Sequence, residues 1–358
     1  MLMGTFGASP FIESFTLSGE LLASLPAVLS LFAFTGYMRG GGRRWLVLAG
    51  VLSGCAVMVR QSAFDASLAA VAYLLITERR RALPAVALLL GGVALPIAAG
   101  ALAASNVGQW WGAVVAYRWR GDSILTGSLA HRLGLFWSSV PPATYALGLL
   151  ALLTALGWRR APLIARLWLG AAAVGVLAGG NFHYHYYLQL VPPLCVLGGV
   201  GVAWLREERR LAAAGAAAAV AVATIALTAP LWLDSGNAQA REIWPHDPHL
   251  VHDRAVASYV RAHTSPRDKV LVLWAAASIY YLADREPAVR YLWFRNLQLL
   301  PHAVEELRRA LSAGEPKLVV LVQQPDRLDE TGATRRILRE RYQRVALVGG
   351  VPILARRR

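Results

Sequence analysis

Charge is scarce in this chain. Only 16% of its 358 residues are Asp, Glu, Lys or Arg, where a soluble domain carries about 25%. That excludes an ordinary soluble protein over the whole length. Cysteine is almost missing. The two present, Cys55 and Cys195, both lie in apolar runs. A structural disulfide in the polar C-terminal part is thereby excluded, and both read as small apolar fillers. No Gly-rich phosphate loop follows the first strand expected in that part, so nucleotide binding is not predicted there. Met1 is followed by no basic flank and no cleavable signal pattern. A multispan chain seldom begins outside without a preceding helix, so a segment upstream of Met1 is expected.

What is abundant is apolar. Hydrophobic residues make up 56% of the chain, and the mean hydropathy is +0.44. They gather in eight runs: 17–38, 45–59, 63–77, 83–104, 133–158, 163–177, 186–205 and 211–233. About 20 apolar residues cross a bilayer. The expected fold is therefore a polytopic α-helical membrane domain over 1–233, with about eight spans. From Asp234 the charge density becomes that of a soluble domain, and 234–358 is expected to be a small α/β domain.

Arginine orients the spans. Loops numbered alternately divide into two sets. One holds twelve arginines (39, 43, 44; 79, 80, 81; 159, 160, 166; 206, 209, 210), and the other holds four (60, 118, 120, 132). The arginine-rich side is cytoplasmic. The bias requires residues 45–77 to be two helices with a polar tip at Arg60-Gln61-Ser62. Topology then accounts for much of the +15 net charge, and no nucleic-acid partner is expected. The same rule puts the C-terminal domain outside the cytoplasm.

In 234–358 the pattern predicts helices over 253–263, 275–282, 301–312 and 333–342, the last basic and amphipathic. Strands are predicted over 269–274, 290–293 and 317–323. A hairpin follows over 344–355, turning at Gly349-Gly350. Strands alternating with helices predict a mostly parallel sheet.

Polar groups at the outer ends are candidates for chemistry, because charge in a membrane is functional or paired. They are Glu13 and Glu20 beside the first run, and Arg60 and Asp65 at the tip. The long loop adds Trp110, Trp111, Tyr117, Arg118, Trp119, Arg120 and Asp122. His183, Tyr184, His185, Tyr186 and Tyr187 open the seventh run. Carboxylates, arginines and aromatic faces together suit a sugar joined to a phosphate. Pro192 and Pro193 are expected to bend the helix below the tyrosines. Plainer readings stand beside these: an interfacial aromatic belt, and an Arg60–Asp65 pair with no further role. His183 with His185, and His246, His249 and His252 with Asp247 and Asp253, are weak metal patterns. No cofactor or divalent metal is indicated.

The segments WLVLAGVLSGCAVMVRQSA (45–63), HYYLQLVPPL (185–194) and VLVLWAAASIYYLADREPAVRYL (270–292) resemble bacterial GT-C glycosyltransferases. These are polytopic enzymes similar to protein mannosyltransferases, lipid A aminoarabinose transferases and Rgt-type lipopolysaccharide sugar transferases. The resemblance covers nearly the whole chain through loose motifs. It implies a polyprenyl-phosphate sugar donor, inversion at the anomeric carbon, and a lipid, glycan or protein acceptor outside the bacterial cytoplasmic membrane. With that donor, the polar groups at the outer ends give Glu13 and Glu20 as base candidates, Arg60, Arg118 and Arg120 for the donor phosphate, and Trp111, His183, His185, Tyr186 and Tyr187 around the sugar and acceptor. The family's catalytic aspartate lies in a first outer loop that has no counterpart here. FIESFTLSGELLASLP (11–26) resembles a later segment, where an acidic residue precedes a membrane helix. Two further readings are a truncated, inactive transferase kept as an assembly partner, and a multispan transporter or flippase. No internal repeat of the transporter kind is present.

Overall fold

The computed structural model describes every residue except 1, 2, 4, 5, 8, 15, 16, 117–127, 208–210, 244–248, 274, 275, 293–301 and 358. It divides into two compact units, Met1–Leu233 and Asp234–Arg358. The first is helical. Each apolar run forms a helix: α1 (Gly19–Met38), α2 (Arg43–Val59), α3 (Asp65–Glu78), α4 (Leu83–Ala103), α6 (Leu129–Gly157), α7 (Leu163–Gly179), α8 (Val191–Glu207) and α9 (Leu211–Leu233), with a short α5 (Val107–Trp111) between α4 and α6. Among the described residues five helical segments are long and apolar enough to cross a membrane: Gly19–Met38, Asp65–Ala103, Leu129–Arg160, Tyr184–Glu207 and Leu211–Leu233. α2 and α7 are shorter, about 26 Å at 1.5 Å per residue.

Cross-helix contacts give the direction of each helix. Gly19 lies against Arg60, and Gly36 against Trp45, so α1 and α2 run antiparallel. Phe34 meets Tyr73, and the Tyr37 hydroxyl donates to Glu78 at 3.2 Å, so α1 and α3 run parallel. Gly50 touches Leu89 and Gly92, and Gly54 touches Val93 and Pro96, so α2 and α4 also run parallel. α3 and α4 are therefore antiparallel. The 39-residue apolar segment Asp65–Ala103 is a hairpin, reversed at Arg79, whose φ is +54°. Gly50 and Gly92 face each other, and a Cβ on either would strike backbone of the opposite helix. Such close approach is how helices pack where apolar burial gives no preference over lipid. α6 and α8 run parallel by the same logic, with Ser139 at Tyr187 and Gly157 at Gly201.

Residues 60–64, Glu20, Asp65 and 183–189 consequently share one end of the unit. Arg39, Arg43, Arg44, Arg79–Arg81, Arg159 and Arg160 lie at the opposite helix ends. The expected bend below the tyrosines takes a different form. Pro192 and Pro193 occupy the first turn of α8, whose amides have no helical partner, so the ring removes nothing the helix needs. A 3-10 segment, Tyr184–Leu190, precedes them.

The second unit contains α10 (Gly236–Ile243), α11 (His249–Ala262), α12 (Ala277–Ala283), α13 (Ala303–Ala313) and α14 (Ala333–Arg341), with strands β1 (Val270–Leu273), β2 (Leu318–Leu321), β3 (Tyr342–Val348) and β4 (Val351–Arg356). The sheet order is β1-β2-β4-β3. Only β1–β2 is parallel; β2–β4 and β3–β4 are antiparallel. The sheet is mixed, against the mostly parallel expectation, because the two-residue turn at Gly349-Gly350 (φ +57° and +81°) fixes the last two strands as a hairpin. Residues 290–292 are not a strand. The preceding chain makes one bridge, Val270 to Pro287, with the Val270 amide donating to Glu286 O and the Ala288 amide to Val270 O; the next donor on β1, the Val272 amide, goes to a side chain instead. Trp274 and Trp293, the ends of two predicted strands, lie outside the described residues. Val272 on β1 donates to the Tyr280 hydroxyl at 2.7 Å, which covers a sheet-edge amide. Burial pushes that phenol up to about 12.

Asp329 ties the loop after β2 to α13 and α14. Its carboxylate accepts from Arg308 Nε at 2.9 Å and from the Thr334 amide and hydroxyl at 2.9 and 2.6 Å. Burial alone would raise this carboxyl; the hydrogen bonds from Arg308, Thr331 and Thr334 outweigh it and hold it well below the usual carboxylate range. A depressed carboxyl stabilises fully above its unfolded value of about 3.9, and that stability is lost as pH falls through the folded value. Asp329→Ala is expected to cost about 3 kcal/mol at neutral pH. Hydrogen exchange at Val319 and Ile353 in the intact protein should show the loss, with the difference from the parent shrinking as the pH is taken well below 3.9.

Candidate functional site

The carboxylates at the shared end sit where helix geometry favours them. Glu20 and Asp65 occupy the first turns of α1 and α3, where unpaired amides and the helix dipole stabilise negative charge. Ser18 caps α1, accepting from the Leu21 amide at 3.3 Å. Arg60 caps the other kind of end. It is the C-terminal cap of α2, its amide donating to Ala56 O at 2.9 Å. Antiparallel packing of α1 on α2 then sets anion against cation.

The result is a line of four groups. Arg60 Nη1 lies 2.7 Å from Glu20 Oε1. His185 Nε2 lies 4.0 Å from the same oxygen, and its Nδ1 is 2.6 Å from Glu13 Oε2. Exposure is lowest at the Glu20 side chain, 1%, against 17% at Arg60, 20% at Glu13 and 26% at His185. Neither Glu20 oxygen has hydrogen-bond geometry with a partner. The pairing with Arg60 is charge against charge, and hydrogen-bonding capacity remains. Glu13 is held at φ +53°, a left-handed backbone that costs a non-glycine residue about 1 kcal/mol or more.

Aromatic rings pack this line. The Arg60 guanidinium lies 4.3 Å from the Tyr186 ring centre, a cation–π contact. His183 and His185 stack at 5.5 Å and 5°, and Tyr186 stands edge-on to both. Tyr187 is buried and shares a 2.6 Å hydrogen bond with Ser139.

Asp65 is not the partner of Arg60, as one reading of the sequence had it. It accepts from Trp168 Nε1 at 2.6 Å and Gln189 Nε2 at 3.0 Å, and Gln189 also donates to Ser62 O at 2.9 Å. Glu20, Arg60, Asp65 and Gln189 together line a pocket of about 10 Å³, close to the volume one water needs.

The structure thus gathers Glu13, Glu20, Arg60, His183, His185, Tyr186 and Tyr187. Trp111 is exposed at the end of α5 and has no described contact with them, although Gln61 donates to Val114 O in the same loop at 3.3 Å. Arg118 and Arg120 lie outside the described residues, as do Tyr117, Trp119, Asp122, His246 and Asp247. Asp253 accepts from Ser278. Among the described residues no group of three or more His, Cys, Asp or Glu side chains is arranged to hold a metal ion. Sequence reasoning missed Trp168, Gln189 and Ser139. Gln189 sits inside the quoted HYYLQLVPPL, a polar residue in an apolar run. Trp168 is 103 residues from Asp65 and carries no local signal.

No family model, curated protein or solved structure matches the chain.

Asp65→Asn replaces one acceptor oxygen with a donor facing Trp168 or Gln189. It is expected to cost about 2 kcal/mol and to lower the thermal midpoint in lipid nanodiscs. Tyr187→Phe, which removes one neutral hydrogen bond, should cost about half as much.

Proposed function

We propose that this chain is a membrane-embedded glycosyltransferase that takes a sugar from a polyprenyl-phosphate donor on the outer side of the bacterial cytoplasmic membrane. The observation carrying this reading is the Glu13–His185–Glu20–Arg60 line at the end opposite the arginine clusters. Under the positive-inside rule that end is the outer one, all eight helices cross the membrane, and the C-terminal unit is extracytoplasmic.

The chemistry needs few parts. The acceptor hydroxyl oxygen attacks the anomeric carbon as the bond from that carbon to the phosphate oxygen breaks. The bonding electrons leave on the lipid phosphate, and the hydroxyl proton passes to a base. Arg60 is assigned to the leaving phosphate, whose charge its fork of donors matches. Glu13 is the more exposed carboxylate and is assigned as the base, with His185 fixing its orientation. Glu20 holds Arg60 in place until the phosphate competes for it. His183, Tyr186 and Trp111 supply polar groups and ring faces for sugar and acceptor. Tyr187, committed to Ser139, positions the segment.

Binding is the direct test. Purified protein is titrated with undecaprenyl phosphate in detergent. Arg60→Ala should weaken binding at least about tenfold, and Arg60→Lys should keep part of it as a point charge. Equal affinity in all three proteins would remove Arg60 from the phosphate site. The sidedness has its own check. With Cys55 and Cys195 replaced, Ala313→Cys should react with a membrane-impermeant thiol reagent in intact spheroplasts. Protection until lysis would invert the topology.

A further inference from the structure

The membrane site leaves one basic feature of the sequence unused, the amphipathic helix over 333–341. α14, β3 and the residue following β4 border an open groove of about 570 Å³. Four guanidinium groups line it: Arg335 and Arg339 one turn apart on α14, Arg344 on β3, and Arg357 just past β4. Its floor is apolar, with Leu338 and Leu354 among the lining residues.

The four cations are not equally engaged. Arg335 pairs with Asp326, and Arg357 Nε donates to Tyr342 O at 3.0 Å, which fixes its fork while leaving its outer nitrogens to other partners. The side chains of Arg339 and Arg344 take part in none of the described hydrogen bonds or ion pairs, and among the described residues no carboxylate lines the groove. Arginine in the last turn of a helix offsets the dipole there, and that explains Arg339. It does not explain Arg344 and Arg357, which come from the hairpin. Like charges brought together around one concavity repel, and an anion between them relieves the repulsion.

We propose that this groove is a binding site for a phosphate-bearing anion of at least two negative charges, seated between Arg339 and Arg344 with its apolar portion on Leu338 and Leu354. A phosphorylated lipid headgroup and a free phosphate ester share this chemistry. The site stands independently of the transferase reading, because none of its residues belongs to the membrane unit.

The test is calorimetric titration of the full-length protein, in nanodiscs of phosphatidylcholine, with inorganic pyrophosphate. The parent should bind saturably and more weakly as salt is raised. Arg339→Gln with Arg344→Gln should weaken binding at least about tenfold while hydrogen exchange in β3 and β4 stays unchanged, since neither side chain holds the fold. Nanodiscs containing phosphatidic acid, whose phosphate monoester carries up to about two negative charges, separate the sources. Loss of the pyrophosphate heat there marks a lipid headgroup as the occupant, and its persistence marks a free ligand. No saturable binding by the parent in phosphatidylcholine, or the same affinity in the double variant, overturns the proposal.

Discussion

The ion pair between Glu20 and Arg60 is the constraint on which the rest of the candidate site depends. A carboxylate that is 1% exposed inside an apolar helix bundle is tolerated only with a compensating charge, because an unpaired ion there costs several kcal/mol. The pair fixes the start of α1 against the end of α2. Tyr186 covers the arginine from the other side, and His185 reaches Glu20 with one nitrogen and Glu13 with the other. Three separate stretches, 13–20, 60–65 and 183–189, are thereby drawn to one place.

Helix direction explains why they meet. α1, α3 and α8 begin at this end, and α2 finishes there. Carboxylates in first turns and an arginine at a last turn each follow the local dipole, so the electrostatics of single helices and the packing of the bundle favour the same arrangement. Glycine faces such as Gly50 on Gly92 and Gly157 on Gly201 bring the backbones close enough for short polar side chains to span the gap. The opposite ends, rich in arginine, have no comparable set of buried carboxylates among the described residues.

Much of the fold was legible because it rests on local rules. Apolar run length located eight helices, and the alternation of arginine between loops required the reversal at the Arg60-Gln61-Ser62 tip. The Gly349-Gly350 turn announced its hairpin. The mixed sheet was not legible, since the alternation of strands and helices does not say where a closing hairpin will insert, and β4 lies between β2 and β3. At the site, residue types and their shared end could be read, but partners could not. Arg60 had two carboxylates within reach in sequence terms, and chose Glu20, 40 residues away, over Asp65, five away, because Asp65 is taken up by Trp168 and Gln189. Those choices depend on distances between helices, and a single sequence does not contain them.

Whether the Glu20–Arg60 pair organises the site is measured most directly by a double-mutant cycle. Glu20→Gln, Arg60→Met and the double variant are compared with the parent by unfolding in the same nanodiscs. Each single change should cost about 3 kcal/mol or more, since it strands the other group. The double variant should be more stable than the sum of the two losses predicts, by about 2 kcal/mol. Additivity of the two losses to within about 0.5 kcal/mol would mean the two residues act independently, and the account built on their pairing would fail.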